Sequence, residues 1–283
     1  MNATLERTVK LGLIGDNITR SKSPRLHRAA GKLAGLNVTY DRLIPKDMAL
    51  TFDEVFEQAR SGGFRGINVT YPYKELVTTK VTVADPLVRA IGAVNTVVFD
   101  PEGPMGFNTD YTGFMNAYRA VRGDANPGHV CLIGTGGVGK AVAFGLIGVG
   151  AETICCIDLD ADKASALAEA LRALGSNTKV ETSSDAVAAA QGADGIINCT
   201  PLGMVGIGGT PLACEAMLGA SWAFDAVYTP VETEFLQDAE RAGLAIISGY
   251  ELFFGQGLDA WSIFTGVDLD HGALRAAIQE EVQ

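Results

Sequence analysis

Three glycines constrain this chain more than any other feature. Gly134, Gly136 and Gly139 follow an apolar run, "VCLI" at residues 130–133, and open a helical stretch, "GKAVAFGLIGVG". The G-x-G-x-x-G spacing is weak evidence alone and gains value between a strand and a helix. The first glycine permits a tight turn. The second lets backbone approach a pyrophosphate, and the third lets helix and strand pack closely. The helix start then offers free N–H groups and a positive dipole end to phosphate.

The pattern continues on both sides of that turn. "TICCIDLD", "KVETSS", "GIINCTP", "WAFDAVYT" and "LAIISGY" read as strands, and helical stretches such as "ADKASALAEALRALG" separate most of them. Apolar strands alternating with helices predict a parallel sheet covered on both faces. Upstream, "LGLIGD", "GINVTYP", "GAVNTVVFD" and "MGFNTD" also read as strands, the last two joined by the turn-rich "PEGP". "SPRLHRAAGKLAGL" reads as a helix with Ser23 as N-cap and Pro24 at its first position. Further helices are expected near Lys74 and Tyr111, and "RGDANPGH" at residues 122–129 is the clearest linker.

Bulk properties exclude several functions. With 283 residues the chain suffices for two modest domains. Its net charge of −11 leaves no basic footprint for nucleic acid or an anionic membrane. No run is as long as a membrane span. "MNATLERTVK" lacks the apolar core of a signal peptide, so a cytoplasmic location is expected. The five cysteines show no C-x-x-C spacing, so neither a disulfide framework nor a metal site is read. Cys155 and Cys156 are adjacent in a strand and point to opposite faces, as packing residues would.

"TICCIDLD" also bears on the nucleotide. Asp158 ends the second strand, roughly 20 residues beyond the glycines, where a carboxylate accepts hydrogen bonds from the adenosine ribose 2′- and 3′-hydroxyls. It would repel a 2′-phosphate, and the following "LDADKA" holds only Lys163 as a cation. NAD is therefore favoured over NADP. Asp160 reads as the N-cap of the next helix. Other strand C-termini place Thr200, Gly203, Val227 and Gly249 near such a ligand.

Oxidising an alcohol requires a proton acceptor beside the hydroxyl. "YPYK" has the wrong spacing for a Tyr-x-x-x-Lys pair, and no histidine is well placed: His129 abuts the linker, His271 lies in the tail, and His27 falls in a predicted surface helix. Lys74 and Asp110 remain, each following a strand. Alone, either is more often a solvated surface charge. A free lysine titrates at about 10.4, so a lysine base requires burial or cationic neighbours. Ser21, Ser23, Asn68, Thr70 and Asn95 add hydroxyl and amide groups suited to a polyhydroxylated ligand.

"SKSPRLH", "GINVTYPYKE", "GAVNTVV", "GFNTDYTGF", "GTGGVGKA", "NCTPLGM" and "GYELFFGQG" occur in this order across nearly the whole chain. Together they resemble the shikimate/quinate dehydrogenase family. The resemblance implies an α/β protein with two α/β domains flanking a cleft: a substrate-binding catalytic domain at residues 1–112, a Rossmann-like nucleotide domain at 113–249, and C-terminal helices at 250–283 returning to the first. It implies that Ser21, Ser23 and Tyr228 hold a substrate carboxylate. Thr70, Lys74, Asn95, Asp110 and Gln256 would hold ring hydroxyls, with Lys74 and Asp110 the catalytic pair and Lys74 the general base. Gly134, Thr135, Gly136, Gly137, Val138, Asp158, Thr200, Val227, Gly249 and Leu252 would hold the cofactor.

Two departures stand out. "IDLD" replaces the Asn-Arg-Thr type of segment usual in the family's NADP enzymes, which resembles the NAD-using quinate/shikimate branch. "ITRSKSP" replaces the commoner His-Ser-Lys-Ser-Pro, with both serines kept. The expected activity is NAD-dependent oxidation of the C3 hydroxyl of shikimate or quinate. The alternatives are an NADP-linked biosynthetic shikimate dehydrogenase, an aminoshikimate dehydrogenase and a non-catalytic ligand sensor. No metal and no macromolecular partner is implied; a homodimer is admitted, though no residue pattern specifies one.

Overall fold

The computed structural model describes residues 8–280. The chain divides into two units, one running to Thr109 and resuming at Gln256, the other spanning Asp110–Gly255. In the first, β1 (Thr8–Ile14), α1 (Ser23–Ala34), β2 (Asn37–Leu43), α2 (Pro45–Met48), α3 (Phe52–Ser61), β3 (Gly66–Val69), α4 (Pro86–Ile91), β4 (Thr96–Asp100) and β5 (Gly103–Phe107) follow one another. The sheet order is β2-β1-β3-β4-β5. β1, β2 and β3 are parallel, while β4 and β5 run antiparallel as a hairpin. Phe56, Val55, Ile67 and Val97 form one side of its core, and Leu11, Tyr40, Ala260 and Phe264 another.

α1 starts one residue earlier than its sequence predicts. Lys22 is the N-cap and makes no side-chain cap bond, so Ser23 and Pro24 fall in the first turn. The hydroxyl that reaches a helix N–H there is that of Ser21, which accepts from the Ser23 N–H at 3.3 Å. His27 also departs from expectation. It shares the buried face of α1 with Ser23, Ala30 and Gly31 and is only 1% exposed. Its ring stacks on Tyr40 at 4.9 Å, with Trp261 and Phe264 beside it. The helix expected near Lys74 is a short 3-10 turn at Leu76–Lys80.

The second unit contains α5 (Asp110–Arg122), β6 (His129–Ile133), α6 (Gly137–Gly148), β7 (Thr153–Ile157), α7 (Ala161–Arg172), β8 (Lys179–Ser183), α8 (Ala186–Ala190), β9 (Gly195–Asn198), β10 (Trp222–Asp225), α9 (Glu234–Arg241) and β11 (Ala245–Ser248). The next helix, α10 (Gly249–Thr265), begins there and ends in the first unit, which also holds α11 (His271–Glu280). The sheet is parallel throughout, in the order β11-β10-β9-β6-β7-β8. This is the doubly wound arrangement, whose strand order reverses between β6 and β9. "RGDANPGH" does not divide the units. α5 stays with the nucleotide half because it packs on α6, where a Cβ on Gly145 or Gly148 would lie 2.8–2.9 Å from Phe114 or Met115.

Candidate active site

The glycine turn sits at the reversal of strand order, where ligands of such sheets collect. Gly134 has φ +96°, open to glycine at little strain, and a Cβ on it would meet the backbone of Cys199 and Thr200 at 2.7–2.8 Å. Gly139 lies tighter still: its Cβ would be 2.0 Å from the Gly134 carbonyl oxygen. Gly136 is the opposite case, with nothing within 4 Å of where a Cβ would stand. Gly136 is also the N-cap of α6, and no side chain caps that helix. Gly137 and Val138 open the helix. The first and third glycines thus close the turn, and the second leaves an open approach to uncapped N–H groups. That cradle fits the pyrophosphate of a dinucleotide.

Asp158 follows β7 and faces the same turn. One carboxylate oxygen accepts from the Thr135 N–H and hydroxyl, both at 2.8 Å; the other accepts from the Asp160 N–H at 3.0 Å. Burial opposes ionisation, but the N–H groups of Asp160 and Thr135, the Thr135 hydroxyl and Lys163 together hold the carboxyl below its ordinary value. Asp160 caps α7 through the N–H groups of Asp162 and Lys163. Cys156 is fully buried in β7, and burial pushes its thiol up to about 12; this is packing chemistry, not redox chemistry.

Across the reversal, Thr200 follows β9 and Val227 follows β10. The Thr200 N–H and hydroxyl both donate to the side-chain oxygen of Asn198, at 2.9 and 2.7 Å. The Val227 N–H donates to Asp225 at 2.9 Å. Tyr228 stacks on Phe253 with ring centroids 4.7 Å apart. Gly249 starts α10 so close to β10 that its Cβ would lie 2.5 Å from the Asp225 carbonyl oxygen. Leu252 is buried one turn further on.

In the first unit, the polar residues gather at the C-terminal ends of β1 and β3. The Ser21 hydroxyl donates to that of Ser23 at 3.1 Å. The Thr70 N–H donates to the Ile14 carbonyl, and the Asp16 N–H to that of Tyr71. The Tyr73 hydroxyl closes the same turn by donating to the Asp16 carboxylate at 2.6 Å. Burial, then this bond and the Asp16 charge, push that phenol up to about 12. Lys74, half-buried, is the next residue, so its backbone is held from the strand before it and by its carbonyl, which accepts from the Val94 N–H. Asn95 is buried and accepts from the Thr109 N–H at 2.9 Å, which fixes the approach to Asp110. Asn68, by contrast, spends its amide within the sheet on Tyr40, Thr96 and the Asn95 carbonyl.

Asp110 is buried as the first residue of α5, and Gln256 is half-buried on α10. Asp16, Tyr73, Asp225, Asn198 and Thr233 also support these turns. The Tyr73–Asp16 and Asn198–Asp225 bonds join residues distant in sequence, so periodicity and spacing could not have found them.

Comparison with known proteins fits this geometry. Residues 13–97 match the shikimate dehydrogenase substrate binding domain, and residues 129–206 match the NADP oxidoreductase, coenzyme F420-dependent family. The shikimate dehydrogenase (NADP(+)) of Pseudarthrobacter chlorophenolicus is 37% identical, covering 96% of this chain and 94% of that one. The quinate/shikimate dehydrogenase (NAD(+)) of Corynebacterium efficiens is 36% identical, covering 95% and 97%. The structure of quinate dehydrogenase from Corynebacterium glutamicum in complex with NAD superposes with a TM-score of 0.87 at 32% identity, over 97% of this chain and 99% of that one. With a doubly wound nucleotide unit, a glycine cradle and relatives aligned from end to end, this chain belongs to the shikimate/quinate dehydrogenase family of NAD(P)-dependent oxidoreductases.

Proposed function

We propose that this chain is an NAD-dependent dehydrogenase that oxidises the C3 hydroxyl of shikimate, quinate or both to the 3-dehydro ketone. The family supplies the reaction class, and its relatives carry both NAD and NADP names. The preference for NAD rests on Asp158, an ionised carboxylate beside the cradle where a 2′-phosphate would have to fit.

The chain's own residues divide the work. The α6 N-terminus takes the pyrophosphate, and Asp158 takes the adenosine ribose. The other half of the dinucleotide then falls to the β9 and β10 ends, at Thr200 and Val227, with Gly249 and Leu252 at the start of α10. Ser21, Ser23 and Tyr228 hold the substrate carboxylate. Thr70, Asn95 and Gln256 hold ring hydroxyls. Lys74 Nζ accepts the proton leaving the C3 oxygen, and the Asp110 carboxylate orients that hydroxyl. Bound NAD supplies the hydride acceptor at nicotinamide C4.

Asp158→Ala tests the preference. Losing hydrogen bonds to a charged group costs about 1.5–3 kcal/mol, so kcat/KM with NAD is expected to fall roughly 10- to 100-fold. Activity with NADP should fall much less, because the carboxylate opposes that cofactor. Steady-state kinetics with both cofactors measure this. An equal loss with each would reduce Asp158 to a support for the Thr135 turn.

A further inference from the structure

Three polar side chains, those of Asn198, Asp225 and Thr233, have no solvent exposure at all. They come from the ends of β9 and β10 and from the N-cap of α9, and they form one closed network. One Asp225 carboxylate oxygen accepts from the Asn198 amide at 3.0 Å and from the Val227 N–H at 2.9 Å. The other accepts from the Thr233 hydroxyl at 2.5 Å, and that hydroxyl caps α9 by accepting from the Leu236 N–H. Asn198 passes the constraint on: its amide also donates to the Leu202 carbonyl, and its oxygen accepts both donors of Thr200.

A buried carboxylate is a poor device for stability alone. Its desolvation opposes folding, and apolar residues of similar volume commonly serve as well. Here burial pushes the carboxyl up to about 6 despite the bonds from Thr233, Val227 and Asn198. What a fully satisfied network provides is one fixed arrangement of the segments it joins. Those segments are the β9 and β10 ends, whose next residues include Thr200, Val227 and Tyr228.

We propose that Asp225 is a positioning residue: through Asn198, Val227 and Thr233 it holds the β9 and β10 ends in the register that receives the nicotinamide half of the cofactor. This rests on the assignment of Thr200 and Val227 to that half of the dinucleotide. The adenosine half, bound by the α6 turn and Asp158, lies outside the network.

Thr233 gives the cleanest test, because it touches neither ligand and can lose its hydroxyl without losing its shape. Thr233→Val, Thr233→Ser and wild type are compared by calorimetric titration with NAD and with ADP-ribose, which lacks nicotinamide. Thr233→Val is expected to weaken NAD binding about tenfold while ADP-ribose binding stays unchanged; the lost hydrogen bonds are worth about that much. Thr233→Ser should restore NAD binding, although it loses a buried methyl group and melts earlier. A merely structural role would instead leave both affinities unchanged at temperatures where the variants are folded. That result, or an equal fall in both affinities, overturns the proposal. The proposed activity is judged separately, by turnover of wild type: failure with shikimate and quinate would refute the substrate assignment, and the difference between the two titrations would still decide the role of Asp225.

Discussion

Lys74→Ala is expected to lower the rate of shikimate or quinate oxidation by roughly 10²- to 10⁴-fold, the range spanned by general acid–base catalysis. The variant removes the proposed proton acceptor. The turn that carries it is tied to β1 by backbone bonds and by the Tyr73–Asp16 hydrogen bond, none of which involves the Lys74 side chain. NAD binding should survive, because the glycine cradle belongs to the other unit. Steady-state kinetics paired with a calorimetric NAD titration separate the two effects. Near-normal turnover in the variant would remove Lys74 from the mechanism, and lost NAD binding would show that the change is not local.

The second large effect concerns acid stability. His27 is completely buried, and burial lowers its pKa to about 3, against a weaker raising effect of Asn68. The unfolded chain takes up a proton near pH 6.5, and the folded one does not until about pH 3. Stability is therefore full above pH 6.5 and falls as pH drops toward 3, by roughly 3–5 kcal/mol over the whole window. Asp225 works in the opposite sense. Its carboxyl is raised to about 6 from 3.8, so its unfavourable contribution at neutral pH is relieved as pH falls through that interval. The His27 shift is larger, and the two residues belong to different units. Urea denaturation of wild type and His27→Gln, compared between about pH 7 and about pH 4, isolates the histidine. The variant is expected to lose less stability on acidification. Parallel slopes would mean that protonation of His27 does not drive the acid transition.

His27 also marks a limit on what the sequence could convey. A single histidine in an amphipathic helix looks like a surface residue, and only the packing of α1 against Tyr40, Trp261 and Phe264 buries it. The nucleotide turn was legible for the opposite reason. Its shape depends on residues close together in the chain, so Gly134, Gly136 and Gly139 carry their signal in their spacing, as does the Asp160 cap. The substrate half was different: no local spacing joins Ser21 to Lys74 or Asp110, so residue chemistry could only group them as candidates, and the resemblance across the chain gave each a role. The resemblance put the first boundary at 112/113, close to the division before Asp110, whereas "RGDANPGH" has the composition of a linker and yet lies inside the second unit, because the fit of α5 on α6 depends on glycines more than 20 residues further on. Asp225 and Asn198 stand 27 residues apart, and Asp16 and Tyr73 stand 57 apart. Contacts at that separation exist only once the strands are side by side.

The proposed activity pairs this substrate class with NAD. Initial rates measured for shikimate and quinate, each with NAD and with NADP, test it in one set of reactions. Turnover of at least one of the two substrates is expected, with a higher kcat/KM for NAD than for NADP. A preference for NADP would contradict the role given to Asp158, and no turnover in any of the four reactions would contradict the proposed activity itself.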